Sequence, residues 1–174
     1  MLRQVAGRIK TGAKAATGLS YDALDLLRAD HMKAEASLIE LRLVQDRSKR
    51  KQLLKDVSKA LAKHMALEEN IFYPACERIK QLQRLIDHAH TDHQLVKAAL
   101  KDLAIMDPTS RGFNTLLTTL IKETERHVME EENKVFARVR EYMNERDFRM
   151  LSREMLEAHA SGLLGRGTLL KKGA

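Results

Sequence analysis

Apolar residues recur along the chain at alternating spacings of three and four, the period that lines one face of a helix, on four successive stripes. The first is Leu24, Leu27, His31, Ala34, Leu38, Leu41, and the second Leu54, Val57, Leu61, His64, Glu68, then Ile71 or Phe72. The third is Leu82, Ile86, Ala89, His93, Val96, Leu100, Leu103, and the fourth Phe113, Leu117, Leu120, Thr124, His127, Glu131, Val135. Ser20 is placed to cap the first helix, because its hydroxyl can accept from an unpaired N–H of the first turn. Pro74 closes or kinks the second, and Asp107-Pro108-Thr109-Ser110 separates the third from the fourth. Short connections make consecutive helices antiparallel. The expected fold is all-α: an up-down-up-down four-helix bundle over residues 19–145, with a short extra helix over 146–160.

Each stripe is interrupted by one histidine, and two of them carry a glutamate one turn later. His31 lies about 16 residues before the turn near Arg47–Ser48, and His64 about 16 after it; His93 and His127 stand similarly about the Asp107–Thr109 turn. All four imidazoles therefore fall in one layer near mid-bundle. His64 with Glu68, and His127 with Glu131, are i,i+4 pairs on one helical face. The pattern is also repeated. Asp30-His31 recurs as Asp92-His93 at an offset of 62, and His64-x-x-x-Glu68-Glu69-Asn70 recurs as His127-x-x-x-Glu131-Glu132-Asn133 at an offset of 63. A duplicated helix pair would build a site with two equivalent halves.

Composition supports a helical reading: of 174 residues, aromatics make 4%, Trp is absent, and only 2 are Pro. A β-sandwich needs more aromatic and turn-forming residues than that. The length fits one domain. The net charge of +7 is confined to the ends. Residues 1–18 carry Arg3, Arg8, Lys10 and Lys14 without an acid, and residues 161–174 carry Arg166, Lys171 and Lys172. The stretch between is neutral by count, so the basicity belongs to two tails expected to be flexible. Neither tail combines bases with stacking aromatics, which argues against nucleic-acid binding. With one cysteine, Cys76, there is no internal disulfide, and with no long apolar run a membrane role is not expected; the chain reads as cytoplasmic.

Six polar residues in one core layer need an explanation. Burying a carboxylate without a partner costs several kcal/mol or more (order of magnitude). No Lys or Arg lies on any stripe at this height, so an outside cation is the economical answer. Four imidazoles and two carboxylates without thiolates suit a pair of first-row metals, iron or manganese, with zinc as a substitute. Six protein ligands around two metals leave positions open for water, O2, peroxide or NO, whereas a structural zinc closes at four. His31, His64, Glu68, His93, His127 and Glu131 are the expected metal ligands.

The order His31, His64-x-x-x-Glu68, His93, His127-x-x-x-Glu131 resembles the hemerythrin-like, or HHE cation-binding, family. The surroundings are similar too: Leu26-Leu27 ahead of Asp30-His31, and Glu68-Glu69-Asn70-Ile71-Phe72-Tyr73-Pro74 after His64. The resemblance covers about residues 20–142. It implies two non-haem irons in a four-helix bundle, with Glu68 and Glu131 bridging and the four His as terminal ligands. Oxygen-carrying members place a second His four residues before the third-helix His; here Ala89 stands there, with His90 as a flanking substitute. They also carry an aspartate five residues after the last His, where this chain has Glu131 at four and Glu132 at five. A missing imidazole leaves a more open iron. That favours binding or reduction of O2, peroxide or NO in oxidative or nitrosative stress, with peroxidase-like, catalase-like or NO-handling activity, over reversible O2 carriage. The alternative is a non-enzymatic iron- or oxygen-responsive binding or iron-handling module.

Tyr73 and Phe72 are placed to limit solvent access, or simply to pack, and His88 and His159 read as surface residues. Leu2, Val5 and Ile9 among bases sketch a short amphipathic leader. The segment 162–172, with glycines among leucines and ending in bases, resembles the targeting peptide by which some hemerythrin-like cargo enters encapsulin-type shells. That resemblance implies a protein nanocompartment as a location.

Overall fold

A computed structural model describes residues 21–162. Four long helices form the bundle. Helix α1 spans Ala23–Leu43; α2 spans Arg47–Leu67 and runs on through a π-helical turn, Glu68–Phe72, to a last turn at Tyr73–Cys76. Helix α3 spans Gln83–Ile105. Helix α4 spans Arg111–Glu130 and continues through a second π-helical turn, Glu131–Val135, into Phe136–Tyr142. A fifth helix, α5, spans Glu145–Ser161. It ends at Gly162, whose φ of +65° lies in the left-handed region that a residue without Cβ adopts freely. Among the described residues there is no strand, and no helix is long and apolar enough to cross a membrane. The amphipathic leader lies outside the described residues, and so does the shell-targeting segment beyond its first residue, Gly162.

The helix starts follow local chemistry. The cap of α1 is Asp22 rather than Ser20. Its carboxylate accepts from the N–H groups of Leu24 and Asp25, and the Asp25 side chain reaches back to the Asp22 N–H, a reciprocal box that satisfies orphan donors of the first turn. The first connection is Val44-Gln45-Asp46, ahead of the expected Arg47–Ser48, because the Asp46 carboxylate accepts from the Lys49 N–H at 2.7 Å and starts α2 at Arg47. Ser110 caps α4 through the Phe113 N–H. Pro74 sits in the last turn of α2, Tyr73–Cys76, after the widened π turn, and the helix ends two residues beyond it.

The buried residues form two apolar clusters. One holds Leu24, Leu27, Phe72, Tyr73, Ile86, Phe136, Val139 and, from α5, Leu151 and Met155. The other holds Leu38, Leu41, Val57, Leu61, Val96, Leu103, Phe113 and Leu117. Each fully buried large side chain contributes about 1.5–3 kcal/mol. Between the clusters lies the polar layer. Helix α5 packs on α1 and on the π turn of α2, and Ser152 accepts from the Ala23 N–H at 3.2 Å.

Candidate metal centre

The stripes bring His31 from α1, His64 from α2, His93 from α3 and His127 from α4 into one layer, all four buried, with Glu68 and Glu131 at 0% and 1% exposure. The ring centroids pair His31 with His64 at 4.7 Å and His93 with His127 at 5.0 Å. Glu68 serves both pairs. Its Oε2 lies 3.2 Å from His64 Nε2 and 3.2 Å from His93 Nε2, and its Oε1 lies 3.8 Å from His31 Nε2. Glu131 Oε2 lies 3.2 Å from His31 Nε2. Within the layer, two sets of ligand atoms are close enough to hold an ion: His31, His64 and Glu68, and Glu68, His93 and His127.

Around this layer stands a ring of four more carboxylates. His31 Nδ1 donates to Glu132 at 2.9 Å and His93 Nδ1 to Glu69 at 2.8 Å; His127 Nδ1 lies 3.4 Å from Asp92, and His64 Nδ1 3.9 Å from Asp30. An ionised carboxylate can only accept, so the bonds to Glu132 and Glu69 place a proton on Nδ1 of His31 and His93 and leave their Nε2 facing inward. Carboxylate–imidazole pairs of this kind hold a metal-binding ring in one orientation and raise its basicity. Each outer acid meets a positive or proton-bearing group in turn. Lys97 Nζ donates to Glu69 at 2.7 Å, Arg28 Nε lies 3.9 Å from Glu132, Arg126 donates to Asp92, and His159 Nε2 lies 3.3 Å from Asp30.

Most of the inward atoms lack a protein hydrogen bond. Both oxygens of Glu68, both of Glu131, His31 Nε2 and His127 Nε2 are buried without a hydrogen bond. Buried polar atoms are ordinarily satisfied, so six orphans in one layer fit a donor set made for cations. The charges also act on one another. Burial pushes the Glu68 carboxyl up, but His64, His31 and His93 hold it well below the usual carboxylate range. Burial alone would lower His64, yet Glu68 and Asp30 raise it to about 9. Burial opposes protonation of His31 too, and Glu131, Glu132 and Glu68 raise it well above its ordinary value. Protons thus stand in the layer where a metal would otherwise neutralise the carboxylates.

On one side of the imidazoles is a cavity of about 20 Å³, walled by Ala34, Leu61, Met65, Val96 and Val128, with the Thr124 hydroxyl buried beside it. On the other side the Tyr73 hydroxyl lies 3.2 Å from His93 Nε2. Burial raises the phenol pKa well above its ordinary value, and the Glu131 and Glu68 charges add to it, so the group keeps its proton. Tyr73 is therefore a polar member of the layer as well as packing. His90 stays outside: it is half exposed, lies 3.7 Å from Glu77 and packs edge-on against the Tyr73 ring. Glu132 reaches His31 from the far side of the ring. His88 is exposed and bonded to Glu130.

Sequence reasoning left Asp30, Asp92, Asn70 and Asn133 without roles, although the repeat displayed them. Asn70 and Asn133 donate to the carbonyls of Ala66 and Met129, at 2.6 and 2.7 Å, one turn back into the widened helices. The contact of His159 with Asp30 had no local signal, because it joins residues 129 positions apart.

The family model for the hemerythrin HHE cation-binding domain matches residues 22–139. Among solved structures, the chain is similar to a hemerythrin HHE cation-binding domain-containing protein from Mycobacterium kansasii, described as an Rv2633c homolog. The two share 21% identity with a TM-score of 0.71, covering 89% of this chain and 96% of that one. No curated protein matches.

Proposed function

The chain belongs to the hemerythrin HHE cation-binding family, and on that footing we propose that it holds two non-haem irons and binds or reduces O2, peroxide or NO in stress defence. The observation that carries this reading is the set of buried, inward-facing carboxylate oxygens and imidazole nitrogens without a hydrogen bond. His31 and His64 would hold one iron and His93 and His127 the other, with Glu68 and Glu131 shared between them; manganese or zinc could substitute. Bound iron supplies redox and Lewis-acid chemistry that no side chain here provides.

The protein's own residues set the conditions. Glu69 and Glu132 hold the His93 and His31 rings by hydrogen bonds, and Asp92 and Asp30 stand behind His127 and His64. The two apolar clusters exclude bulk water, and the small cavity beside Thr124 matches a ligand of a few atoms rather than an organic substrate. The Tyr73 hydroxyl holds a proton at the edge of the layer, where it can donate to an oxygen of Glu131 or of a small ligand. The segment 162–172 is proposed to dock on an encapsulin-type shell, and its deletion should abolish co-purification with one.

Elemental analysis and a visible spectrum of protein purified without oxygen test the reading. Two irons per chain, and oxo-bridge charge-transfer bands on exposure to O2, are expected; absence of stoichiometric iron rejects it. Peroxide consumption by the loaded protein, with Glu131→Ala as control, separates enzyme from binding module: turnover no faster than free iron leaves the binding or iron-handling alternative.

A further inference from the structure

Helix α1 carries a second apolar stripe on the face turned away from the bundle. Met32, Ile39 and Leu43 are 41%, 46% and 67% exposed, and Ala36 between them is exposed as well. Their spacings of four, three and four make a seam of the kind that packs against another helix. Among the described residues, none of the three helices packed against α1 (α2, α4 and α5) covers it. Helix α4 meets α1 along the flank of Arg28, which faces Glu132, and α5 along the flank of Ala23 and Asp30, which face Ser152 and His159.

The charges beside the seam are ordered. In the heptad frame that places Met32 and Ile39 at d and Ala36 and Leu43 at a, the e positions are Lys33 and Glu40, and the g positions are Arg28, Glu35 and Arg42. An antiparallel pair of identical helices brings e against e and g against g. Centred between Ser37 and Leu38, with Ala36 facing Ile39 and Met32 facing Leu43, it sets Lys33 opposite Glu40 and Glu35 opposite Arg42, each twice by symmetry. A parallel pair brings g against e of the next heptad, and would set Arg28 against Lys33 and Glu35 against Glu40, like against like. The pattern is complementary to itself in one orientation only.

We propose that the outer face of α1 is a self-association surface, on which two copies of this chain pair antiparallel about a twofold axis. The small Ala36 lets the helix backbones approach at the centre. The seam is about 17 Å long, short for a permanent interface, so the dimer is a weak, reversible one. The exposed contact of Glu40 with Lys49, at 3.7 Å, competes little, since surface pairs are weakly bound.

Sedimentation equilibrium of the full chain, from low micromolar to submillimolar concentration, tests this. A reversible monomer–dimer equilibrium is expected, weakened by salt. Ile39→Glu should raise the dissociation constant at least about tenfold, and Lys33→Glu and Glu40→Lys should each raise it several-fold. The double variant Lys33→Glu/Glu40→Lys should return it towards the original value, because the swapped charges again face opposites. All three positions are exposed, and unchanged helical circular dichroism and melting temperature verify folding. A monomer at every concentration overturns the proposal, as does a double variant no better than the single ones. A monomer whose Met32 methyl resonance shifts when residues 1–18 are removed assigns the stripe to the leader of the same chain, and also overturns it.

Discussion

The two halves of the polar layer carry the same ligand types but are held differently from outside. On the His93–His127 side, both outer acids meet permanent cations: Lys97 donates to Glu69 at 2.7 Å and Arg126 donates to Asp92. On the His31–His64 side the grip is looser. Arg28 stands 3.9 Å from Glu132, and Asp30 meets His159 of α5, a group that is not permanently charged. The inner layer repeats between the two helix pairs, and the groups behind it do not. One half is clamped within the bundle while the other depends on α5. We expect the clamped half to bind metal more tightly.

The largest effect should come from Glu68, the residue common to both ligand groups. Glu68→Gln keeps the shape and removes the charge, and bound metal should fall from two per chain to one or none by elemental analysis; a variant that still binds two would place the sharing elsewhere. The next effect sets the two halves against each other. Asp92→Asn should weaken metal binding about 10–100-fold, the usual cost of losing a carboxylate behind a ligand imidazole, and Asp30→Asn should cost less, because Asp30 lies farther from its ring. Competition with a coloured chelator measures both, and the reverse order would mean that the His31–His64 half is the more firmly held.

Acidity supplies a third test. The His64 pKa is raised to about 9 in the folded protein. In the metal-free protein its stabilising contribution is therefore complete below about pH 6.5, and is lost as pH rises through about 9. Glu68 is lowered, so its contribution is present above the ordinary carboxylate pKa and fades on acidification. Metal-free stability should peak on the mildly acidic side of neutrality, followed by chemical denaturation. Metal must displace these protons, so loading should release protons and affinity should increase with pH up to about 9. The smallest effect is expected from His159→Ala: a few-fold weaker binding in one half only, with the spectrum of the other half unchanged under substoichiometric cobalt.

The bundle and the height of its polar layer could be read from the sequence because both rest on periodicity, which is local. The stripe through α2 became ambiguous at Ile71 or Phe72 for a physical reason: a π turn begins at Glu68, and its wider winding brings both side chains into the core. Ser20 and Asp22 were both chemically able to cap α1; the reciprocal partner, Asp25, decided between them. The repeat displayed Asp30, Asp92, Glu69 and Glu132, but their roles needed distances between helices. Tyr73 is both packed and polar, and sequence cannot tell which end of a phenol matters.

The outer ring also shows how the two helical hairpins fit together. Asp30 reaches His64 and Asp92 reaches His127, each within one helical hairpin, while Glu69 reaches His93 and Glu132 reaches His31, each from one hairpin to the other. Every contact of the first kind has its counterpart in the other repeat, and so does every contact of the second. A lone hairpin bearing Asp-His and His-x-x-x-Glu-Glu-Asn would therefore close the whole ring by pairing with an identical copy. The two hairpins are thus interchangeable in the ring they build and differ in what stands behind it, Arg126 at Asp92 and His159 of α5 at Asp30.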